Sequence, residues 1–443
     1  MLTFRGGIHP RGYKEYTKDR PIREIKPGKI LVFPLKQHIG KEAISVVDIG
    51  DKVLVGQVIA KADGDISSNI ISSVSGVVKG IEDRKIATGE SIKSIIIEND
   101  NKYETISEMK KERDYKKLDW REIIDIVKES GIVGLGGANF PTHVKLNPKN
   151  RMEIEYVLIN AAECEPYLTS DYRLLLENPE KILKGIEIML RIFPKAKGII
   201  CIEDNKKDVY DLMVKKLHGN LSISACLLKT KYPQGGERQL IYAVTKRKIS
   251  SKKLPAEVGV IVDNVATVVA IEEAVVEQTP LFSKIVTVTG DGFNDTGNLK
   301  VRLGMSYSEL IEEIGGIKED NKKIVLGGPM MGTAIFYIEG PITKGSSAII
   351  SYIKDPLEKE KITNCINCGR CIKVCPINLV PRLLYKKYIS MDVDGFDKLY
   401  GMECIECGCC SYICPARKPL IQVFRIMKDE VRKKSNKETK KHG

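Results

Sequence analysis

The sequence predicts a multidomain α/β chain: a β-rich module, a larger α/β domain, a second small β module and a cysteine-rich end. Three observations predict it. Short β runs alternate with turns between residues 30 and 100. Apolar strand and helix patterns then alternate from about 117 to 278, as a largely parallel sheet with covering helices requires. Eight of the twelve cysteines fall in two identical runs near the end. A chain of 443 residues has room for about three or four domains.

Residues 1–29 (FRGGIHP, then RPIREIKPG) read as an irregular arm. Residues 30–100 contain GDKVLVGQVIAKADG and SSVSGVVKGIE, a pattern that resembles the barrel-sandwich hybrid of lipoyl and biotinyl carrier domains. Counting back from Val74-Ser75-Gly76, the position of a carrier's modified lysine holds Asp65, so a docking or bracing module is expected. A charged linker follows. Asp119 and Glu122 then form a capping-box signature that opens an amphipathic helix through Ser130.

The domain expected at 117–278 holds four groups of candidate ligand residues. In GIVGLGGANFPTHVKL, Gly134, Gly136 and Gly137 expose backbone amides able to wrap phosphate oxygens, and Lys145 adds a positive charge. The loop is not a G-x-G-x-x-G, since Asn139 stands at the last glycine and a helix precedes it. A plain tight turn is the competing reading. Asn160, Glu163 and Glu165 follow the strand EYVLIN, where ligands of α/β sheets collect. Gln234-Gly235-Gly236-Glu237 opens a helix, and Asp263-Asn264 ends another strand. One long helix is expected from about Ser170 to Arg191.

Residues 279–345 (KIVTVTG, NLKVRLG, SYSELIEEIGG, KIVLGGPMMG) suggest a small β-grasp-like module, and a linker around Pro356 leads to a domain at 356–425. Cys365, Cys368, Cys371 and Cys375 precede Pro376, and Cys404, Cys407, Cys410 and Cys414 precede Pro415. Each run reads C-x-x-C-x-x-C-x-x-x-C-P, the spacing of a bacterial two-cluster ferredoxin site. Three close thiolates wrap one corner of a cubane, and the fourth points to the neighbouring cluster. The expected sets are therefore Cys365, Cys368, Cys371 and Cys414 for cluster 1, and Cys404, Cys407, Cys410 and Cys375 for cluster 2. Paired zinc sites are the alternative, but zinc does not explain a third Cys at the same short spacing. Cys201 and Cys226 lie in apolar strands as core thiols, and Cys409 receives no role.

No apolar run approaches eighteen residues and the N-terminus has no apolar signal core, so a cytoplasmic protein without a membrane span is expected. The net charge is +13, and the tail at 426–443 is a basic run that reads as disordered. Its two readings are a solvated terminus and attraction to an anionic membrane face or acidic partner. Basic residues do not interleave with aromatics, so nucleic acid is not an expected partner.

GIVGLGGANFPTHVK, NAAECEPYLTSDYR, YPQGGERQL and VDNVATV resemble four segments of the NADH-binding flavoprotein subunit of respiratory complex I and its hydrogenase relatives. The whole series, from FRGGIHP through GGPMMG to the paired cysteine runs, resembles the RnfC family of Rnf complexes. Those complexes are membrane-bound ferredoxin–NAD oxidoreductases that couple electron transfer to Na⁺ or H⁺ transport. The resemblance implies a complex-I-flavoprotein-like α/β domain, an SLBB-like β-grasp module, non-covalent FMN, NAD(H) and two [4Fe–4S] clusters. It implies that Gly134, Gly136, Gly137 and Lys145 face FMN phosphate or NADH. Asn160, Glu163 and Glu165 would lie along the flavin and nicotinamide, Glu237 would contact nucleotide, and Asn264 with Thr267 would hold the FMN phosphate end. No catalytic acid or base is implied, because hydride transfer needs none. The implied partners are the other Rnf subunits, including the ferredoxin-like RnfB, with ferredoxin reached indirectly. The implied location is peripheral, on the cytoplasmic side of the cell membrane. Complex I has Arg at Leu135, Gly at Asn139 and no Cys at 164. Two other functions fit the same modules: a corrinoid-reducing flavin/iron–sulfur enzyme, and an electron-wire subunit that binds no nucleotide.

Overall fold

The computed structural model describes residues 1–250, 253–355 and 361–442, with side chains through residue 435. The linker expected around Pro356 falls on residues 356–360, outside the described residues. The arm contains one short strand, β1 (Ile22–Glu24). Two small sheets follow, built from β2 (Ile30–Pro34), β3 (Ile44–Ser45), β4 (Lys52–Val53), β5 (Val58–Lys61), β6 (Ile70–Ile71), β7 (Gly76–Lys85) and β8 (Ser91–Asn99). Their orders are β2-β8-β7-β4 and β3-β5-β6. Leu31 and Phe33 alternate inward on β2 and meet Ile59, Val78, Ile95 and Ile97 in one core.

The α/β domain opens with α1 (Trp120–Glu129), whose capping box on Asp119 and Glu122 is formed. It continues through α2 (Thr142–Leu146), β9 (Tyr156–Ala161), α3 (Ser170–Glu177), α4 (Pro179–Ile192), β10 (Lys197–Glu203), α5 (Lys207–Lys216), β11 (Ile223–Leu228), α6 (Glu237–Thr245), β12 (Val260–Asn264) and α7 (Val265–Val275). The sheet order is β11-β10-β9-β12, with every pair parallel. The single helix expected from Ser170 to Arg191 is two helices. Pro179 has no N–H to continue α3 and stands at the first position of α4, where none is needed. Helix α7 is largely apolar and buried, packing on α1 and α4, with Glu273 paired to Lys181 at 3.0 Å. Asn160 and Asn264 pair at the same end of β9 and β12, so the two strand ends open on one site.

The second β module comprises β13 (Ser283–Gly290), β14 (Gly297–Arg302), α8 (Tyr307–Glu313), β15 (Lys323–Leu326), β16 (Thr333–Ile335) and β17 (Ala348–Tyr352). Its six-stranded order is β1-β14-β13-β17-β15-β16. The sheet thus takes an edge strand from the arm and places β17, beyond residue 345, near its middle.

The cysteine-rich domain contains α9 (Arg370–Val374), α10 (Pro381–Ile389), α11 (Val393–Lys398), α12 (Cys409–Tyr412) and α13 (Leu420–His442). Gly369 and Gly408 precede α9 and α12 with φ of 71° and 79°, so the two cysteine runs share one left-handed turn. The tail expected to be disordered continues α13 to His442. Leu420, Val423, Phe424, Met427 and Val431 supply one apolar face that packs into the domain core and carries the helix outward.

Candidate functional site

The glycine loop lies across the N-terminus of α7. Leu135 N donates to Thr267 Oγ1 at 3.0 Å. A Cβ on Gly136 would stand 2.5 Å from the Asn264 side chain, whereas one on Gly137 would meet nothing within 4 Å. Asn264 caps α7 by accepting from Ala266 N at 2.9 Å, and its amide donates to Asp171 at 2.7 Å. From the second β module, buried Lys284 donates to Leu135 O (2.8 Å) and Lys344 O (2.6 Å). Burial lowers its pKa to about 7. The result is a cradle of backbone at the positive end of a helix, with one open side, which favours an anion.

The acidic segment is held largely by the protein itself. Asn160 donates to Gly235 O at 2.8 Å and so joins β9 to the loop before α6. Glu163 accepts from Asp171 N at 2.7 Å and lies beside Lys14. Lys14 also donates to the carbonyls of Glu163, Glu165 and Leu168 at 2.9, 3.3 and 2.6 Å. Glu165 accepts from Met330 N and Met331 N of the GGPMMG loop (3.1 and 3.0 Å), and burial lifts its carboxyl to about 7. Asp171 is also lifted to about 7, by burial and then by the charge of Glu163. Lys145 donates to Val262 O (2.7 Å) and Asp263 (3.2 Å), and Glu237 lies within reach of both charges. The structure therefore brings Gly136, Asn264 and Thr267 together, and Lys145 with Glu237. It turns Glu163 and Glu165 toward protein donors. Buried polar atoms of Asn139, Glu163, Gln234 and Asp263, all in these segments, lack a hydrogen bond within the protein.

The cysteines fall into two neighbouring groups. Cys371 feels the charges of Cys414, Cys365 and Cys368. Cys404 feels those of Cys407 and Cys375, and Cys410 those of Cys404, Cys407, Cys375 and Cys371. Cys375, Cys404, Cys407, Cys409 and Cys410 line a small apolar cleft walled by Ile377, Leu379, Ile421 and Phe424. Burial lifts the Cys404 thiol to about 11, so this apolar space disfavours bare thiolates and favours them bound to cations. Among the described residues no three His, Cys, Asp or Glu side chains converge on the place of a single ion. A cubane spreads its four thiolates over a larger body. Cys365 and Cys368 are exposed, whereas Cys375, Cys407 and Cys410 are buried.

One apolar cluster joins the buried cysteines to the loop before α6. Cys409, given no role from sequence, is fully buried and donates to Tyr232 O at 3.8 Å. Cys164 accepts from Gly235 N at 3.4 Å and packs with Tyr232, Cys407, Cys409 and Met330. Gln239 donates to Pro376 O at 3.4 Å, and Arg238 pairs with Glu403 at 3.5 Å. Sequence reading missed Lys14, Tyr232, Lys284 and Lys344. Their partners lie far along the chain, and no local pattern marks them.

Four family descriptions match in order: the RnfC barrel sandwich hybrid domain (2–102), the Nuo51 FMN-binding domain (127–273), the SLBB domain (285–334) and a 4Fe-4S dicluster domain (358–415). The RnfC-type subunit of the proton-translocating ferredoxin:NAD(+) oxidoreductase complex of Clostridium ljungdahlii is 43% identical over 385 residues, covering 87% of this chain and 84% of that one. The Na(+)-translocating counterpart of Acetobacterium woodii is 38% identical, covering 98% and 99%. The chain belongs to the RnfC family. An air-oxidized NAD+-reducing [NiFe]-hydrogenase shares the fold with a TM-score of 0.50 at 16% identity, over 72% of this chain and 67% of that one. In this RnfC-family chain, the residues fit both groups that its domain descriptions imply. The glycine cradle with its open side suits a flavin phosphate, and the sulfur-lined apolar cleft suits an iron–sulfur cluster.

Proposed function

We propose that this chain is the peripheral subunit of a membrane-bound Rnf complex at which NAD(H) exchanges electrons with ferredoxin-derived electrons, coupled through other subunits to Na⁺ or H⁺ translocation. Bound FMN would take or give a hydride with NAD(H) and pass single electrons, which is why it belongs between nucleotide and clusters. Gly136, Gly137, Asn264 and Thr267 hold its phosphate end on the positive end of α7, and Gly134, whose N–H donates to Phe140 O at 2.9 Å, closes the loop. Asn160 and Glu237 border the ring and nucleotide side, and Lys145 sets the charge there through its pair with Asp263. Glu163 and Glu165 fix the backbone of the acidic segment beside the flavin. No side chain is assigned as acid or base.

Cys404, Cys407, Cys410 and Cys375 hold the buried cluster, next to the flavin side. Cys365, Cys368, Cys371 and Cys414 hold the second, whose exposed edge, with Ile362 and Ile366 at 60% and 69% exposure, faces the ferredoxin-like partner. The observation that carries this reading is the cluster of Tyr232, Cys164 and Cys409, which joins the buried cysteines to the loop before α6 that Asn160 holds at the end of β9. No helix among the described residues is long and apolar enough to cross a membrane, and the place we assign to the chain is peripheral, on the cytoplasmic side.

Anaerobic purification with iron, sulfide and flavin counts, followed by an NADH reduction spectrum, tests the cofactors. Two clusters and one FMN that bleach with NADH are expected, and a chain without flavin under several preparations would refute the reading. The crossed ligands have their own test. Cys414→Ala should remove the electron paramagnetic resonance signal of cluster 1, and Cys375→Ala that of cluster 2. The reverse pattern contradicts the crossing.

A further inference from the structure

The first residues of the arm run between the two cofactor-bearing domains. Leu2 N donates to Leu227 O (3.2 Å) and Lys229 N to Leu2 O (2.9 Å), so the chain starts alongside edge strand β11. Lys231 donates to Phe4 O at 2.9 Å and lies 4.5 Å over the Phe4 ring. Gly6 and Gly7 then turn the chain, with φ of 86° and 76°. Gly7 N donates to Val374 O (2.8 Å), next to Cys375. Ile8 and Tyr232 exchange both backbone bonds at 2.9 Å.

The space around the two glycines is filled by backbone from two different domains. A Cβ on Gly6 would stand 2.8 Å from Cys375 O, and one on Gly7 would stand 2.6 Å from Tyr232 O. Both positions are left-handed and the nearest atom at each is a backbone oxygen, with Lys231 and Phe4 side chains also against Gly7, so a side chain at either displaces backbone of the neighbouring segment. One glycine rests on the segment that ends in Cys375. The other rests on the loop that leads to Gly235 and Glu237.

We propose that the Gly6–Gly7 turn is a positioning clamp that fixes the separation between the buried cluster and the flavin side. This rests on the proposed function in taking Cys375 as a cluster ligand and the 232–237 loop as bordering the flavin. Hydride transfer from NADH to flavin carries two electrons and stays within the α/β domain. Onward transfer moves one electron at a time from flavin to an oxidised cluster, with release of a proton. Only the second transfer crosses the clamped boundary, so a defect in the clamp slows it and leaves the first unchanged.

The test uses the full chain reconstituted anaerobically with iron, sulfide and FMN, in wild type, Gly6→Ala, Gly7→Ala and Gly12→Ala. Gly12 is the control, since a Cβ there meets only the Lys14 side chain at 3.9 Å. After mixing with NADH, flavin and cluster bleaching are followed separately. Both clamp variants should bleach flavin at the wild-type rate and reduce clusters severalfold more slowly, with Gly12→Ala equal to wild type. Amide hydrogen exchange on the cofactor-free chains should rise at 230–236 and 372–378 in the clamp variants alone. Lys231→Met, which removes the bond to Phe4 without adding bulk, should show the same pattern more weakly if the alanine variants fail to load clusters. Unchanged cluster reduction with unchanged exchange overturns the clamp. If NADH does not bleach wild-type flavin, the proposed function fails instead, and the exchange data alone decide the clamp.

Discussion

Glu165 accepts two backbone N–H bonds, yet burial still lifts its carboxyl to about 7. A carboxyl with a folded pKa above its unfolded value contributes stability that is complete below about pH 4.5. That contribution is lost as pH rises through 7. The shift corresponds to about 3 kcal/mol as an order of magnitude. Asp171 and Glu203 are lifted to about 7 as well. The melting temperature of the cofactor-free chain should therefore fall between pH 5 and pH 8 on their account. Glu165→Gln should flatten that fall, being less stable than wild type at pH 5, where one acceptor is lost, and closer to it at pH 8. Parallel melting profiles for the two proteins would exclude this account. At this scale the cysteine runs were legible, because the geometry of a cube dictates their spacing. Glu163 and Glu165 were legible only as an acidic group after a strand. Which donors occupy them depends on Asp171 N and on Met330 and Met331, and the last two arrive 165 and 166 residues later.

Helix α7 combines two functions that its sequence separates. The sequence marks Asp263-Asn264 only as a strand end, and in the structure Asn264 caps the buried helix that follows. The structure adds that Gly136 packs against the cap, so loop and helix form one anion cradle. Gly136→Ala should displace the Asn264 side chain and lower the FMN retained per chain, with circular dichroism unchanged. Asn264→Ala should lower flavin retention and also cost about 1 kcal/mol of helix stability. Full retention of flavin by both variants would remove the cradle from the phosphate site. Strand and helix order was readable here because apolar period and turn residues agree. The break at Pro179, the strand β1 and the length of α13 were not. The last two depend on a partner surface, β14 offering an edge and Phe396 receiving Phe424, whereas the break is local to Pro179 and was hidden by the helical pattern on both sides of it.

At the scale of the whole molecule, buried lysines join the modules. Lys344 donates to Ser68 Oγ (3.0 Å), Asn69 O (2.6 Å) and Gly131 O (2.7 Å), so one ammonium of the second β module holds both the first β module and the α/β domain. Lys344→Met would leave these acceptors unsatisfied, at a cost on the order of 3 kcal/mol. The expected outcome is a lower melting temperature and faster proteolysis in the linker at 100–118, with cluster content unchanged. Wild-type resistance to protease would show that packing alone holds the modules. The order of the modules was readable from sequence, since each has its own periodicity. Their mutual orientation was not, because it is written in single long-range contacts.

The six-stranded sheet carries a consequence for how the protein is made. Its edge strand comes from residues 22–24 and its central β17 from residues 348–352. Lys284, which reaches Leu135 O, stands on β13 in the same sheet. On the ribosome, the glycine cradle is therefore without its finished backing until about four-fifths of the chain has emerged, since β17 ends at Tyr352 of 443 residues. The cysteine runs emerge directly afterwards. Completion of the flavin site and arrival of the cluster ligands thus fall within one short interval late in synthesis, so a chain short of either cofactor is nearly complete in length but open at its centre.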